Sequence, residues 1–150
     1  MKSCYMDSPV GILKIVQSDV GICSISVVEQ KGTNEKGRFL DKAVFQLEEY
    51  FLGKRKNFEI ELDMTGTSFQ KRVWKALMDI PYGQVCTYKE VAEKVGRPKA
   101  YRAVGMACNK NPCPIIVPCH RVIGTNQQLT GYAYGLEMKK YLLEWEKENE

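Results

Sequence analysis

The only histidine in the chain, His120, stands directly beside a cysteine, Cys119. That pairing points to nucleophilic chemistry. A thiolate is the reactive form of cysteine, and a nearby imidazole can act as the base that makes it. Adjacent residues do not automatically face each other, so the proton path would run through a bridging water. The pair lies in the run Ile115-Ile116-Val117-Pro118-Cys119-His120-Arg121-Val122-Ile123-Gly124. β-prone apolar residues on both sides predict a rigid, mostly buried frame. Pro118 restricts the backbone and removes one amide donor. The plain alternative is an inert buried cysteine beside a hydrogen-bonded histidine.

A chain of 150 residues is one domain, or a small domain fused to a slightly larger one. Its 44% hydrophobic and 27% charged content is that of an ordinary globular protein. No apolar run reaches bilayer length, and the N-terminus lacks a signal-peptide pattern. The expected compartment is the cytoplasm, in association with the nucleoid, or the nucleus if the source is eukaryotic. Six cysteines form no CxxC pair, and one histidine is a poor supply of zinc ligands, so no metal site is expected. A Cys4–Cys23 contact between neighbouring strands is conceivable, although thiols in that compartment stay reduced. The net charge of +4 is unevenly placed. Residues 66–112 carry nine basic and three acidic side chains, while the flanking segments are close to balanced. A basic module beside a reactive thiol suggests a polyanion partner, nucleic acid first; a solvated helical surface is the other reading.

These residues must be positioned by the rest of the chain. Met1–Met6, Ile12–Val16 and Ile22–Val28 read as a small antiparallel sheet. Asp41–Leu52 reads as a helix ending at Gly53, and Phe58, Ile60 and Leu62 as a final strand. Asp63–Gly66 is the boundary, giving an α/β scaffold over 1–65 and a second domain over 66–150. Thr67 and Gln70 form a capping box that starts a helix over 68–79, with Phe69, Val73, Ala76 and Leu77 as its apolar stripe. Thr87 and Glu90 form another, and a short helix runs to Gly96. A further helix, about Lys99–Asn109, packs through Ala100, Ala103, Val104 and Ala107. Two short helices around a glycine-containing turn are the helix-turn-helix pattern, whose use is to place the second helix in a DNA groove. That helix has few residues suited to reading base edges, and its small side chains suit a minor groove. Thr130–Gly135 reads as an aromatic-containing turn. Leu136–Glu148 closes as an amphipathic helix with Met138, Tyr141, Leu142 and Trp145 among its apolar positions. The fold class is α+β: a small sheet and helix packed on a mainly helical domain that holds the helix-turn-helix and the cysteine.

Ordered motifs then extend the reading. They are Phe69-Gln70-x-x-Val73-Trp74, Ile80-Pro81-Tyr82-Gly83, Thr87-Tyr88, Arg102-Ala103-Val104-Gly105, Asn111-Pro112, Pro118-Cys119-His120-Arg121-Val122-Ile123-Gly124, and Gly131-Tyr132…Gly135…Lys139…Leu142-Leu143-x-x-Glu146. Together they resemble the O6-alkylguanine-DNA alkyltransferases, or methylated-DNA–protein-cysteine methyltransferases. The match is dense from Thr67 to Glu146. The resemblance implies that Cys119 is the alkyl acceptor, His120 its base through water, and Glu146 the acid that orients His120. It implies that Tyr88 donates toward guanine N3 and that Arg102 fills the gap left by an extruded nucleotide. It implies that Asn111 ties the helix pair to the active-site segment. The carbonyls of Cys119 and Val122 would read the guanine amine, the Ala133 amide would face O6, and Tyr132, Tyr134 and Lys139 would line the pocket. Arg97, Lys99, Tyr101, Ala103, Gly105 and Thr87 would join Arg102 against DNA.

The chemistry implied is direct repair of double-stranded DNA bound through its minor groove. The O6-alkylguanine, or an O4-alkylthymine, is flipped out, and its alkyl group passes once and irreversibly to Cys119. No cofactor and no membrane enter, and a monomer suffices. Two positions depart from the usual pattern: Tyr101 replaces a small residue beside Arg102, and Tyr134 puts a ring where some members have glycine. Rival readings are a non-catalytic binder of alkylated DNA or helix-turn-helix regulator, and a Cys-His-Glu hydrolase, for which no oxyanion-hole motif is visible.

Overall fold

Three antiparallel strands, β1 (Lys2–Met6), β2 (Ile12–Gln17) and β3 (Ile22–Val28), form a sheet in the order β1-β2-β3. Every second residue of β2 is buried, ending at Gln17. Helix α1 (Arg38–Phe51) covers that face with Phe39, Leu40, Ala43, Leu47 and Tyr50. Its N-cap, Gly37, has no side chain to offer the first-turn amides. Gln17 supplies the missing acceptor, taking the Leu40 N–H on Oε1 at 3.0 Å. An inward-facing polar residue on a core strand is thereby explained. It also lets α1 begin at Arg38, three residues before the expected Asp41.

The expected last strand is not one. Ile22 and Leu62 form a single parallel bridge, with Ile22 N–H donating to Glu61 O at 2.8 Å. The backbone of Glu59 is instead held at both ends by the Gln46 amide of α1, at 2.9 and 3.2 Å. A side chain thus takes the bonds a ladder would have used. The Cys4–Cys23 contact fails too, and all six thiols are free. Cys4 is on β1 and Cys23 on β3, with β2 between them, so the strands are about 10 Å apart and beyond disulfide reach.

This computed structural model describes residues 1–125 and 132–150. It divides into two units, Met1–Thr65 and Gly66–Glu150, and the fold class is α+β as expected. The second unit holds α2 (Ser68–Met78), β4 (Cys86–Thr87), α3 (Tyr88–Lys94), α4 (Tyr101–Asn109), a 3-10 turn at Cys119–Arg121, β5 (Val122–Ile123) and α5 (Leu136–Glu148). Both capping boxes form, at Thr67/Gln70 and Thr87/Glu90. The stripe on α2 is completed by Trp74, whose indole N–H donates to Ala107 O of α4 at 2.8 Å. Gly96 turns the chain between α3 and α4 at φ 78°, a conformation that side chains with a Cβ resist. Helix α4 buries Val104, Ala107 and Cys108, an i, i+3, i+4 stripe. Ala103, expected on that side, lies one helical step away and is exposed. Among the described residues, no helix is long and apolar enough to cross a membrane.

Candidate active site

The segment entering the site is bent tightly. Ile115 has φ 73°, the one described non-glycine residue in the left-handed region, and a β-branched residue is strained there. Val117 N–H returns to Cys113 O at 2.9 Å and Cys119 N–H to Val117 O at 2.8 Å. The turn Cys119–Arg121 then runs into β5, which pairs in parallel with β4 through Cys86↔Val122 and Thr87↔Ile123. That pairing brings the start of α3, and with it Tyr88, alongside the cysteine turn. The frame is buried, as its apolar composition predicts.

Asn111 braces the turn. Its Oδ1 accepts from Cys113 N–H at 2.9 Å, and its Nδ2 donates to Val117 O at 2.9 Å and to Cys119 Sγ at 3.1 Å. Burial pushes the Cys119 thiol up to about 11; the Asn111 donor and the Lys139 charge oppose this but do not cancel it. Tyr134 Oη donates to Asn111 O at 3.1 Å and its ring meets Tyr132 edge-on, with centroids 5.7 Å apart.

Helix α5 brings the acid. His120 and Glu146 are 0% and 1% exposed, and His120 Nε2 lies 2.7 Å from Glu146 Oε2. Facing a carboxylate, Nε2 carries the proton, which leaves Nδ1 as a bare acceptor. Nδ1 is buried and has no hydrogen-bond partner among the described residues. Burial holds His120 below the usual imidazole range, only partly offset by Glu146, so it is neutral at pH 7. Burial alone would raise Glu146, but the His120 hydrogen bond and Arg121 together hold its carboxyl well below the usual range. Arg121 is the residue that sequence reasoning missed. It grips Glu146 with two bonds, Nε to Oε1 at 2.8 Å and Nη2 to Oε2 at 3.0 Å, and gives Nη1 to Ile80 O at 2.7 Å. Its place in the Cys-His-Arg run was the available signal. Nothing in the sequence showed that it shares an acceptor with His120. The Gly83 amide adds a third residue's donor, at 3.3 Å to Glu146 Oε1.

Lys139 is also buried, with Nζ 3.4 Å from Tyr88 Oη and 5.7 Å over its ring. Helix α5 therefore turns a cation and an anion inward beside Met138 and Leu142, whereas Tyr141 and Trp145, expected as apolar core positions, are only half-buried and stack on each other.

The remaining candidates lie outside this cluster. Tyr101, Arg102 and Ala103 are exposed on α4, with Lys99 and Arg97 exposed just before it. Arg97 stacks over Phe69 at 5.7 Å. Arg102 makes no hydrogen bond or ion pair among the described residues. The Thr87 hydroxyl is engaged as the α3 cap. A Cβ at Gly105 would meet only the Tyr88 ring at 3.8 Å, an ordinary contact, so the fold itself does not require glycine there. Tyr88, Lys89, Tyr101, Gly124 and Thr125 line an open cleft of about 390 Å³. Val122 is buried in β5, while Ala133 is exposed. Thr130 and Gly131 of the aromatic turn lie outside the described residues. Among the described residues, no group of three or more His, Cys, Asp or Glu could hold a metal ion.

Comparison with known proteins agrees across both units. Residues 68–148 match the model of the 6-O-methylguanine DNA methyltransferase DNA binding domain, and residues 1–64 that of its ribonuclease-like domain. A methylated-DNA–protein-cysteine methyltransferase of Methanosarcina barkeri is 46% identical, over 96% of each chain. The O6-methylguanine methyltransferase of Mycobacterium tuberculosis superposes with a TM-score of 0.90 at 42% identity, covering 99% of this chain and 94% of that one. The same organism's enzyme has also been solved in complex with DNA, with a TM-score of 0.89 at 46% identity over 97% and 92%. On this evidence, the chain belongs to the 6-O-methylguanine DNA methyltransferase family of DNA-repair enzymes.

Proposed function

We propose that the protein removes the alkyl group from O6-alkylguanine in duplex DNA by a single, irreversible transfer to Cys119. The observation that carries this reading is the buried Cys119 thiol beside a histidine whose Nε2 is tied to Glu146 and whose Nδ1 is free. His120 Nδ1 takes the thiol proton through a water molecule. Sulfur attacks the alkyl carbon in line, the S–C bond forms, and the C–O6 bond breaks. Its electron pair stays on guanine, which recovers a proton from the histidine relay and solvent. Tyr88, held beside Lys139, donates toward N3 as charge builds on the leaving base. The thioether has no leaving group that water displaces, so each molecule acts once.

The target atom is inside a duplex, and the site is sealed, so the base must be flipped out to reach it. O6-alkylation weakens pairing and lowers that cost; an O4-alkylthymine offers the same alkyl-oxygen bond. Unpaired Arg102 on α4 is suited to fill the vacated stack. Exposed Ala103 and a glycine at 105 that the fold does not demand suit close approach to a minor groove. Tyr101, Lys99 and Arg97 extend that surface. Val122 and Ala133 would contact the base through backbone groups.

Mass spectrometry tests the reading. After incubation with a duplex carrying one O6-methylguanine, the Cys119 peptide should gain one methyl group, stopping at one per protein. Cys119→Ser should gain none. Tight binding without a mass change would make the protein a lesion binder instead.

Alkyl size gives a second test. The Tyr134 hydroxyl bond and its contact with Tyr132 fix a ring close to Cys119; burial first, then the nearby Cys119 and Cys113, together push the Tyr134 hydroxyl up to about 12. Tyr134→Gly is expected to speed inactivation by free O6-benzylguanine roughly tenfold or more, the range set by relieving about 1–3 kcal/mol of crowding. Equal inactivation rates for the two proteins would remove Tyr134 as the size limit.

A further inference from the structure

The acceptor, base and acid leave one problem unsolved. The sulfur must carry a negative charge in a pocket where Cys119 is 3% exposed, and water cannot solvate it. Two neutral groups answer that need.

The first is the Asn111 amide. Because Cys113 N–H occupies its oxygen, the amide cannot be turned over without opposing two donors. Its Nδ2 is therefore held toward the sulfur at 3.1 Å, with the second N–H taken by Val117 O. A thiol sulfur is a weak acceptor and a thiolate a strong one, so a donor fixed here gains strength as charge forms. The second is Tyr132. Its hydroxyl is sealed from solvent and has no hydrogen-bond partner among the described residues. Its interaction with Cys119, of hydrogen-bond kind but with no well-formed bond between the two groups, favours the thiolate and disfavours ionisation of the hydroxyl. An unpartnered buried hydroxyl is costly unless some state of the site uses it.

We propose that Asn111 and Tyr132 are catalytic residues that form a two-donor anion hole for the Cys119 thiolate. The role rests on the methyl-transfer reading and adds to it. Asn111 is then more than a tie between α4 and the turn, and Tyr132 more than a wall of the base pocket. As the Sγ–H proton leaves toward His120, Asn111 Nδ2 shortens onto the sulfur and Tyr132 Oη closes on it. When the S–C bond forms the charge passes to guanine, and both donors relax. Preorganised donors aimed at developing charge act in this way in water-excluded sites.

The test separates this role from substrate binding. Cys119 is labelled without DNA by methyl methanethiosulfonate, a small reagent that reacts with thiolates, and the labelled peptide is followed by mass spectrometry from pH 6 to 9. Methyl transfer from an O6-methylguanine duplex is timed in parallel, together with duplex affinity. Cys23, in the other unit, is the internal standard for labelling. Tyr132→Phe is expected to slow both reactions by a similar factor, roughly three- to tenfold. Asn111→Asp, which sets an anionic acceptor against the sulfur, should slow both a hundredfold or more. Duplex affinity should stay within about twofold of the parent. Slower transfer with unchanged Cys119 labelling in Tyr132→Phe would assign Tyr132 to substrate alone and refute the hole. Unchanged rates in both assays would refute it as well. If Asn111→Asp does not fold, as judged by thermal melting, Tyr132→Phe still decides. A parent protein that labels normally but takes no methyl group from DNA would instead defeat the methyl-transfer reading.

Discussion

A Glu146→Gln protein is expected to transfer methyl groups roughly a hundred- to ten-thousandfold more slowly than the parent, with little change in duplex affinity. The argument is one of tautomers. In the parent, Oε2 of a full carboxylate lies 2.7 Å from His120 Nε2 and keeps the proton there, so that Nδ1 accepts. A glutamine must put its oxygen toward Arg121, which offers only donors. Its NH2 group then faces His120 and forces Nε2 to accept. The proton moves to Nδ1, and the base is lost although the ring has not moved. Single-turnover rates against pH check this, with gel-shift affinity as the control. A Glu146→Gln rate within threefold of the parent would mean that Glu146 serves packing and not proton transfer.

Arg121→Met should cost about 3–5 kcal/mol of folding stability at pH 7, the range for removing one partner of a buried ion pair. The carboxylate of Glu146 is 1% exposed and loses both arginine bonds, while Ile80 O loses its donor. Urea unfolding at several pH values carries a further signature. The depressed folded pKa of Glu146 means that its stabilisation is complete above the usual carboxylate value of 4.5 and is lost as pH falls toward the folded value. His120 acts earlier. The unfolded chain binds a proton near pH 6.5 that the buried imidazole refuses, so stability begins to fall below that point. Arg121 contributes to lowering both groups. Without it both folded pKa values rise, the acid losses shrink, and the gap between Arg121→Met and the parent narrows from pH 7 toward pH 3. A gap independent of pH would mean that packing of the arginine stem, and not its charge, supplies the stability.

Local elements were readable because short-range rules govern them. The two capping boxes are complete within four residues each, so Thr67/Gln70 and Thr87/Glu90 announced α2 and α3 directly. The three strands follow from alternation and turn residues. The Leu136–Glu148 span of α5 was readable, but not which side of it is buried. Errors arose wherever a distant side chain intervened. Phe58–Leu62 alternates like a strand, yet Gln46 of α1 claims the Glu59 backbone. Arg38 starts α1 because Gln17, on another element, caps it.

The same division runs through the site. Sequence alone determined that Cys119 and His120 are adjacent in an apolar frame, that a basic helix pair precedes them, and that the ordered motifs belong to one family. Those are matters of residue identity and spacing along the chain. Only the tertiary structure decided that α5 turns Lys139 and Glu146 inward beside Met138 and Leu142. A hydrophobic stripe would place Tyr141 and Trp145 there, but a buried charge is tolerated when partners wait for it. Those partners are Arg121 and His120 for the acid and Tyr88 for the lysine, lying 25, 26 and 51 residues away. No periodicity records contacts at that separation; they exist because folding closes the chain around them.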